Sequence, residues 1–241
     1  MTDLELAHAL AEQAGKVALA IRAAGLIEGK PLGAAGDRAV NAFLVPAIAQ
    51  HRPDDGLLSE EEKDDSARLD KSRVWIVDPV DGTHEYGEER EDWAVHIGLA
   101  IDGVAHTGAV ALPGLGLVLT SDGASREDHA PTGKIVVSRS RPPAEAERVA
   151  TALGMELVGM GSAGAKAMAV VRGEADAYLH SGGQYEWDNC APVAVAQAHG
   201  LHCSRIDGSP LIYNRADVSL PDLLICRPEL AEDILGAARQ G

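Results

Sequence analysis

The chain predicts a mixed α and β protein built in two unlike halves, an α+β half followed by an α/β half. Three observations carry that reading. Apolar residues recur at helical spacing near the N-terminus, the run over 93–120 reads as antiparallel strands, and beyond Lys134 short apolar strands alternate with helices.

Thr2 and Glu5 have the spacing of a capping box, and Leu6, Leu10, Ala14, Val17 and Ile21 then follow a helix that ends at Gly25. Residues 29–36 are rich in turn formers, so the second helix is expected from Asp37 to about Gln50, with Ala39, Val40, Phe43, Leu44, Ala47 and Ile48 inward. A short strand over 56–59 runs into acid, and 74–77 is an unbroken apolar strand stopped by Asp78 and Pro79. Residues 93–101 and 104–112 pair as a hairpin turning at Asp102 and Gly103, and a third strand covers 115–120. The polar stretch 121–133 breaks the pattern and divides the chain into 1–128 and 129–241. Strands at 134–137, 155–158 and 175–179 then alternate with helices at 143–153, 164–172 and 188–199, which argues a mostly parallel sheet.

Composition excludes several functions. With 37 Asp and Glu against 21 Lys and Arg the net charge is −16, which opposes a groove that tracks a nucleic-acid backbone. Only 8 of 241 residues are aromatic, so the core must be built from Ala, Val, Leu and Ile. The longest apolar stretch, 109–119, is broken by Pro113, Gly114 and Gly116 and falls far short of a membrane span. Asp3 and Glu5 stand where a secretory leader would be basic, and three cysteines without a Cys-x-x-Cys favour a reduced interior. A soluble cytoplasmic protein is expected, with no membrane partner. Its oligomeric state is left open, a homodimer included.

Residues 54–92 hold 15 of the 37 carboxylates. Asp78 follows a buried strand, Asp81 comes three residues on behind Pro79, Gly82 lets a backbone approach a ligand, and Thr83 adds a hydroxyl. Carboxylates that close cannot all ionise without a cation. Oxygen donors, with no His or Cys inside the Asp78–Thr83 motif itself, indicate Mg²⁺ rather than Zn²⁺. Glu60, after a short strand, and Asp188, at a helix start, are the natural completing ligands, although Asp188 also fits a helix cap.

Leu58-Ser-Glu-Glu61, Trp75-Ile-Val-Asp-Pro-Val-Asp-Gly-Thr83 and Glu186-Trp-Asp188 resemble, in order and spacing, the three signatures of the inositol monophosphatase superfamily of lithium-sensitive, Mg²⁺-dependent phosphatases. Val137-Ser-Arg-Ser140, Gly161-Ser-Ala-Gly-Ala-Lys166 and Gly208-Ser-Pro-Leu-Ile-Tyr-Asn214 are similar to the CysQ-type 3′(2′),5′-bisphosphate nucleotidases, the short actinobacterial ones above all. The resemblance implies a layered α/β/α/β/α sandwich of the sugar-phosphatase type, with the site between the halves. It implies one Mg²⁺ on Glu60, Asp78 and the Val80 carbonyl, a second on Asp78, Asp81 and Asp188, and a third on Glu60 with waters. Asp37 with Thr83 would orient and deprotonate the attacking water, and the Gly82 and Thr83 amides would grip the scissile phosphate. Gly82, Thr83, Ser138, Arg139, Ser162, Lys166 and Glu186 are the implied substrate-binding set, and Li⁺ the implied inhibitor.

The stretch before Asp37 departs from the family, since Leu32-Gly-Ala-Ala-Gly36 lacks the Thr of the usual Val-Thr-x-Ala-Asp. Arg141 stands where the nucleotidases often have His, and Cys190 replaces a usual Ala as a small packing residue. Gly159-Met-Gly-Ser-Ala-Gly164 is a literal GxGxxG, but the helix it opens is short and no acid follows at the distance a dinucleotide fold needs. A Gly-rich turn opening a helix still suits an anion. With Lys166, Ser138 and Arg139 beside it, the turn is expected to hold a second phosphate.

The function expected is removal of the 3′-phosphate from adenosine 3′,5′-bisphosphate, or its sulfated form, by metal-activated water, which the resemblance links to sulfate assimilation. The substrate is a small phosphate ester. Inositol 1-phosphatase or fructose 1,6-bisphosphatase activity is the alternative within the class. A non-catalytic, metal-dependent nucleotide-binding protein is the rival from another class.

Overall fold

The computed structural model describes residues 1–64, 66–123 and 129–239, so part of the expected boundary stretch 121–133 lies outside the described residues. Five layers are stacked. Helices α1 (Asp3–Ala23) and α2 (Gly29–His51) cover the outer face of a five-stranded sheet. That sheet has the order β1 (Gly56–Ser59), β2 (Arg73–Asp81), β3 (Ala94–Ile101), β4 (Val104–Leu112), β5 (Leu117–Thr120), with β1 parallel to β2 and the rest antiparallel. A short helix α3 (Thr83–Gly87) follows β2. The second sheet contains β6 (Lys134–Ser138), β7 (Glu156–Met160), β8 (Ala177–Tyr185), β9 (His202–Ser204) and β10 (Ser219–Cys226), in the order β7-β6-β8-β10-β9. Helices α5 (Ala163–Val171) and α6 (Glu186–Ala198) lie between the sheets, and α4 (Ala144–Leu153) and α7 (Ala231–Ala238) cover the far face.

Strand alternation explains the layering. Trp75 and Val77 on β2, Val95, Ile97 and Leu99 on β3, and Ala109 and Ala111 on β4 face α1 and α2. Val74 and Ile76, with Ala100 and Val110, point the other way onto α5 and α6. The middle layer must be thin, and its helices are built from Ala, Val, Gly and Cys. At Gly98 a Cβ would come 3.0 Å from Cys190 Sγ, and at Gly108 2.5 Å from the Ala191 carbonyl. Cys190 is fully buried there, a packing residue as expected.

Three expectations are corrected. Helix α2 begins at Gly29 instead of Asp37. Gly33 and Gly36 are there for close approach: a Cβ on Gly33 would meet the Thr83 carbonyl at 2.7 Å, and one on Gly36 the Tyr86 ring at 2.6 Å. Strand β2 runs on through Pro79 to Asp81, because the proline, with no N–H to offer, falls in the register shift between Asp78 and Asp81. The second sheet is parallel only across β7-β6-β8; β10 adds antiparallel to β8, and β9 antiparallel to β10. No described helix is long and apolar enough to cross a membrane.

Candidate active site

Each half of the fold delivers acids to one place. The end of β2 supplies Asp78 and Asp81, the turn after β1 supplies Glu60, α2 supplies Asp37, and α6, packed on β3 and β4, carries Asp188 in from the second half. Two overlapping clusters result, Asp37 with Glu60 and Asp78, and Asp78 with Asp81 and Asp188; within each, one oxygen per residue lies within 4.8 Å of the others. Asp37 Oδ1 and Asp78 Oδ1 are buried with no hydrogen-bond partner. Burial and the Glu60 and Glu61 charges push Asp37 up to about 8. Glu60 is raised to about 7 by burial and by Asp188 and Asp81, Asp188 to about 6 by burial and Asp81, and Asp78 well above its ordinary value by burial and Glu60. Such frustration in a cluster whose buried members Asp37 and Asp78 keep orphaned oxygens, while Glu60 reaches the surface, fits a hard cation bound between them.

Asp81 behaves differently. Its Oδ2 accepts from Ser162 Oγ and from the Gly164 amide at 2.7 Å, and its Oδ1 from the Ala163 amide at 3.1 Å. His96 Nε2 lies 3.1 Å from Oδ2, within ion-pair distance but not aligned as a hydrogen bond, while Nδ1 donates to the Trp187 carbonyl at 2.9 Å. Burial alone would raise Asp81, yet His96, Lys166 and Ser162 outweigh it and hold the carboxyl below its ordinary range. Oδ1, with one amide, is the oxygen with capacity left for a cation. The N-terminus of α5 therefore carries an internal anion, and the GxGxxG turn is closed around Asp81 rather than open to a pyrophosphate. Ser162, at φ +49°, caps α5 by accepting from the Ala165 amide.

The acids border a cleft of about 310 Å³ lined by Glu60, Asp81, Gly82, Ser138, Arg139, Ser162, Lys166 and Asp188, so eight of the expected site residues share one space. Asp37 and Thr83 line an adjoining cavity that meets the cleft at Glu60. Val80 is buried between Asp78 and Asp81. Asp188 Oδ2 accepts from the Tyr185 amide at 2.6 Å, so the residue serves as helix cap and cluster member together. Lys166 is buried; its Nζ donates to the Gly161 and Ser162 carbonyls and sits 5.2 Å from the Tyr178 ring, and burial lowers it to about 8. Arg139 pairs with Glu85 at 3.2 Å and with Asp92. Glu186 is not brought to the cleft: it is fully buried, and its carboxylate accepts from the Asn214 and Arg215 amides. Sequence reasoning missed His96, whose signal was a histidine inside an otherwise apolar strand, and the cleft residues Tyr178, His180, Tyr185 and Trp187.

A five-layer sandwich with this acid cluster at the strand ends defines the class of metal-dependent sugar phosphatases. Residues 4–240 match the inositol monophosphatase family, and the chain belongs to it. It is 49% identical over 236 residues to a 3′-phosphoadenosine 5′-phosphate phosphatase of Mycobacterium bovis, covering 93% of this chain and 88% of that one. It is 29% identical to the 3′(2′),5′-bisphosphate nucleotidase CysQ of Escherichia coli over 74% of this chain and 78% of that one. The crystal structure of CysQ from Bacteroides thetaiotaomicron superposes with a TM-score of 0.82 at 25% identity, over 93% of this chain and 97% of that one.

Proposed function

We propose that the chain is a Mg²⁺-dependent phosphomonoesterase that removes the 3′-phosphate of adenosine 3′,5′-bisphosphate. The observation that carries the chemistry is the pair of acid clusters sharing Asp78, with buried, unpartnered oxygens on Asp37 and Asp78. The nucleotide substrate rests on the relatives named above. Glu60, Asp78 and the Val80 carbonyl would hold one Mg²⁺, Asp78, Asp81 and Asp188 a second, and Glu60 with waters a third. When bound, Mg²⁺ lowers the pKa of the attacking water and neutralises charge on the phosphoryl and leaving oxygens.

The chain's own residues do the rest. Asp37, whose Oδ1 has no hydrogen-bond partner, would take the proton of the water between it and Thr83 once bound cations offset the neighbouring acids and ionise it. The Gly82 and Thr83 amides, at the start of α3, hold the transferring phosphoryl oxygens. Ser138, Arg139 and Lys166 hold the second phosphate from the opposite wall, Arg139 exchanging Glu85 or Asp92 for it and Lys166 lending the proton its two carbonyl bonds leave over, while Ser162, its hydroxyl proton given to Asp81, shapes the wall between them. Glu186 acts at a distance, pinning the 214–215 loop. In-line attack by water needs no covalent nucleophile.

Phosphate release is expected to vanish in chelator, return with Mg²⁺ and fall to background in Asp78→Asn. Release that continues undiminished in chelator contradicts the reading.

A further inference from the structure

The cleft has a wall that the phosphate chemistry does not use. Tyr185 and Trp187 stack with centroids 4.9 Å apart and planes 16° from parallel, and Tyr185 is 49% exposed where it lines the cleft. Trp75, Trp93, Tyr86, Tyr178 and Tyr213 are all fully buried, so this pair is an apolar plate kept at the edge of a charged site. The Tyr185 amide donates to Asp188, which ties the plate to the turn that carries a cluster acid. His180 gives a second, independent observation. It is 7% exposed and lines the same cleft. Its Nε2 lies 3.2 Å from the Gly183 carbonyl, which can only accept, so the proton is on Nε2 and Nδ1 is an acceptor; that Nδ1 is buried with no partner. Burial, together with Lys166 and Arg141, favours the neutral ring.

We infer that Tyr185, Trp187 and His180 form a nucleobase subsite, taking a purine stacked on the tyrosine with its exocyclic amino group donating to His180 Nδ1. The inference rests on the phosphatase reading above and adds base selectivity to it. A 6-oxo purine would set a carbonyl against the same acceptor and leave both unpaired, so discrimination of about tenfold or more is expected.

The test compares kcat/KM of the full chain with Mg²⁺ on adenosine 3′,5′-bisphosphate, inosine 3′,5′-bisphosphate and inositol 1-phosphate, which has no base. Wild type is expected to favour adenosine over inosine about tenfold or more. Tyr185→Ala, which keeps the amide bond to Asp188, should lower the adenosine-to-inositol ratio about tenfold, and Tyr185→Phe should keep it. His180→Leu should bring the adenosine-to-inosine ratio to within about twofold of one. Equal loss on all three substrates in Tyr185→Ala, or ratios unmoved by either variant, overturns the subsite while nucleotide hydrolysis by wild type leaves the phosphatase reading standing. Wild type that cleaves none of the three overturns both.

Discussion

Asp37 and Asp81 show how two carboxylates that each cluster with Asp78 are set to opposite states. Asp37 sits on α2 with an orphaned oxygen and two acidic neighbours, and is pushed up to about 8. Asp81 is wrapped by the α5 amides and His96 and stays ionised. Asp37→Asn is therefore expected to lower kcat about 100-fold to 10,000-fold with little change in KM, since it removes the base and keeps the shape; steady-state kinetics check it. His96→Ala removes the charge facing Asp81 and the bond to the Trp187 carbonyl that fixes the start of α6. A higher Mg²⁺ requirement, read by titrating activity, is the expected outcome. Part of the acid cluster was legible in the sequence because Asp-Pro-x-Asp-Gly-Thr concentrates Asp78 and Asp81. His96 was not, because its meaning depends on the cross-strand register Asp78↔His96, which no local pattern shows.

At the scale of elements, glycine placement decides what may sit against what. Gly108 lets α6 press onto β4, and a Cβ there would come 2.5 Å from the Ala191 carbonyl. Gly108→Ala is expected to cost about 1–3 kcal/mol through this overpacking. Because α6 carries Asp188, it should also weaken metal affinity, and thermal melts with and without Mg²⁺ separate the two effects. The same logic explains the misplaced start of α2. Glycines at 33 and 36 look like turn formers when read along the chain, yet each is a clearance for Thr83 or Tyr86. The elements with strong local signals, α1 with its capping box and the β3–β4 hairpin, fall where the sequence put them. Strands β9 and β10 and helix α7 had no comparable signal and were not anticipated.

For the whole molecule, the acid clusters link stability to protons and cations. Asp37, Glu60 and Asp188, at about 8, 7 and 6, lie above their unfolded values, so between about pH 4 and 8 the metal-free folded state binds more protons than the unfolded chain. Stability without metal is thus greatest at low pH within that window and is lost as pH rises through these values. Mg²⁺ should reverse the trend, binding more tightly as the protons leave, and should raise Tm most near pH 8. Melting curves at pH 5 and pH 8, in chelator and in Mg²⁺, check both signs. The five-layer architecture itself followed from the family resemblance, while the residues alone indicated two unlike halves; what joins them, α6 laid across the first sheet, is a long-range packing fact.

On this reading the site hydrolyses a 3′-phosphate on a bisphosphate nucleotide. The most direct test is kcat/KM with Mg²⁺ for adenosine 3′,5′-bisphosphate beside inositol 1-phosphate and fructose 1,6-bisphosphate. A preference for the nucleotide of about 100-fold, roughly 2.7 kcal/mol of transition-state discrimination, is the predicted result. Equal rates on all three would contradict the nucleotide assignment, and no release from any would contradict catalysis itself.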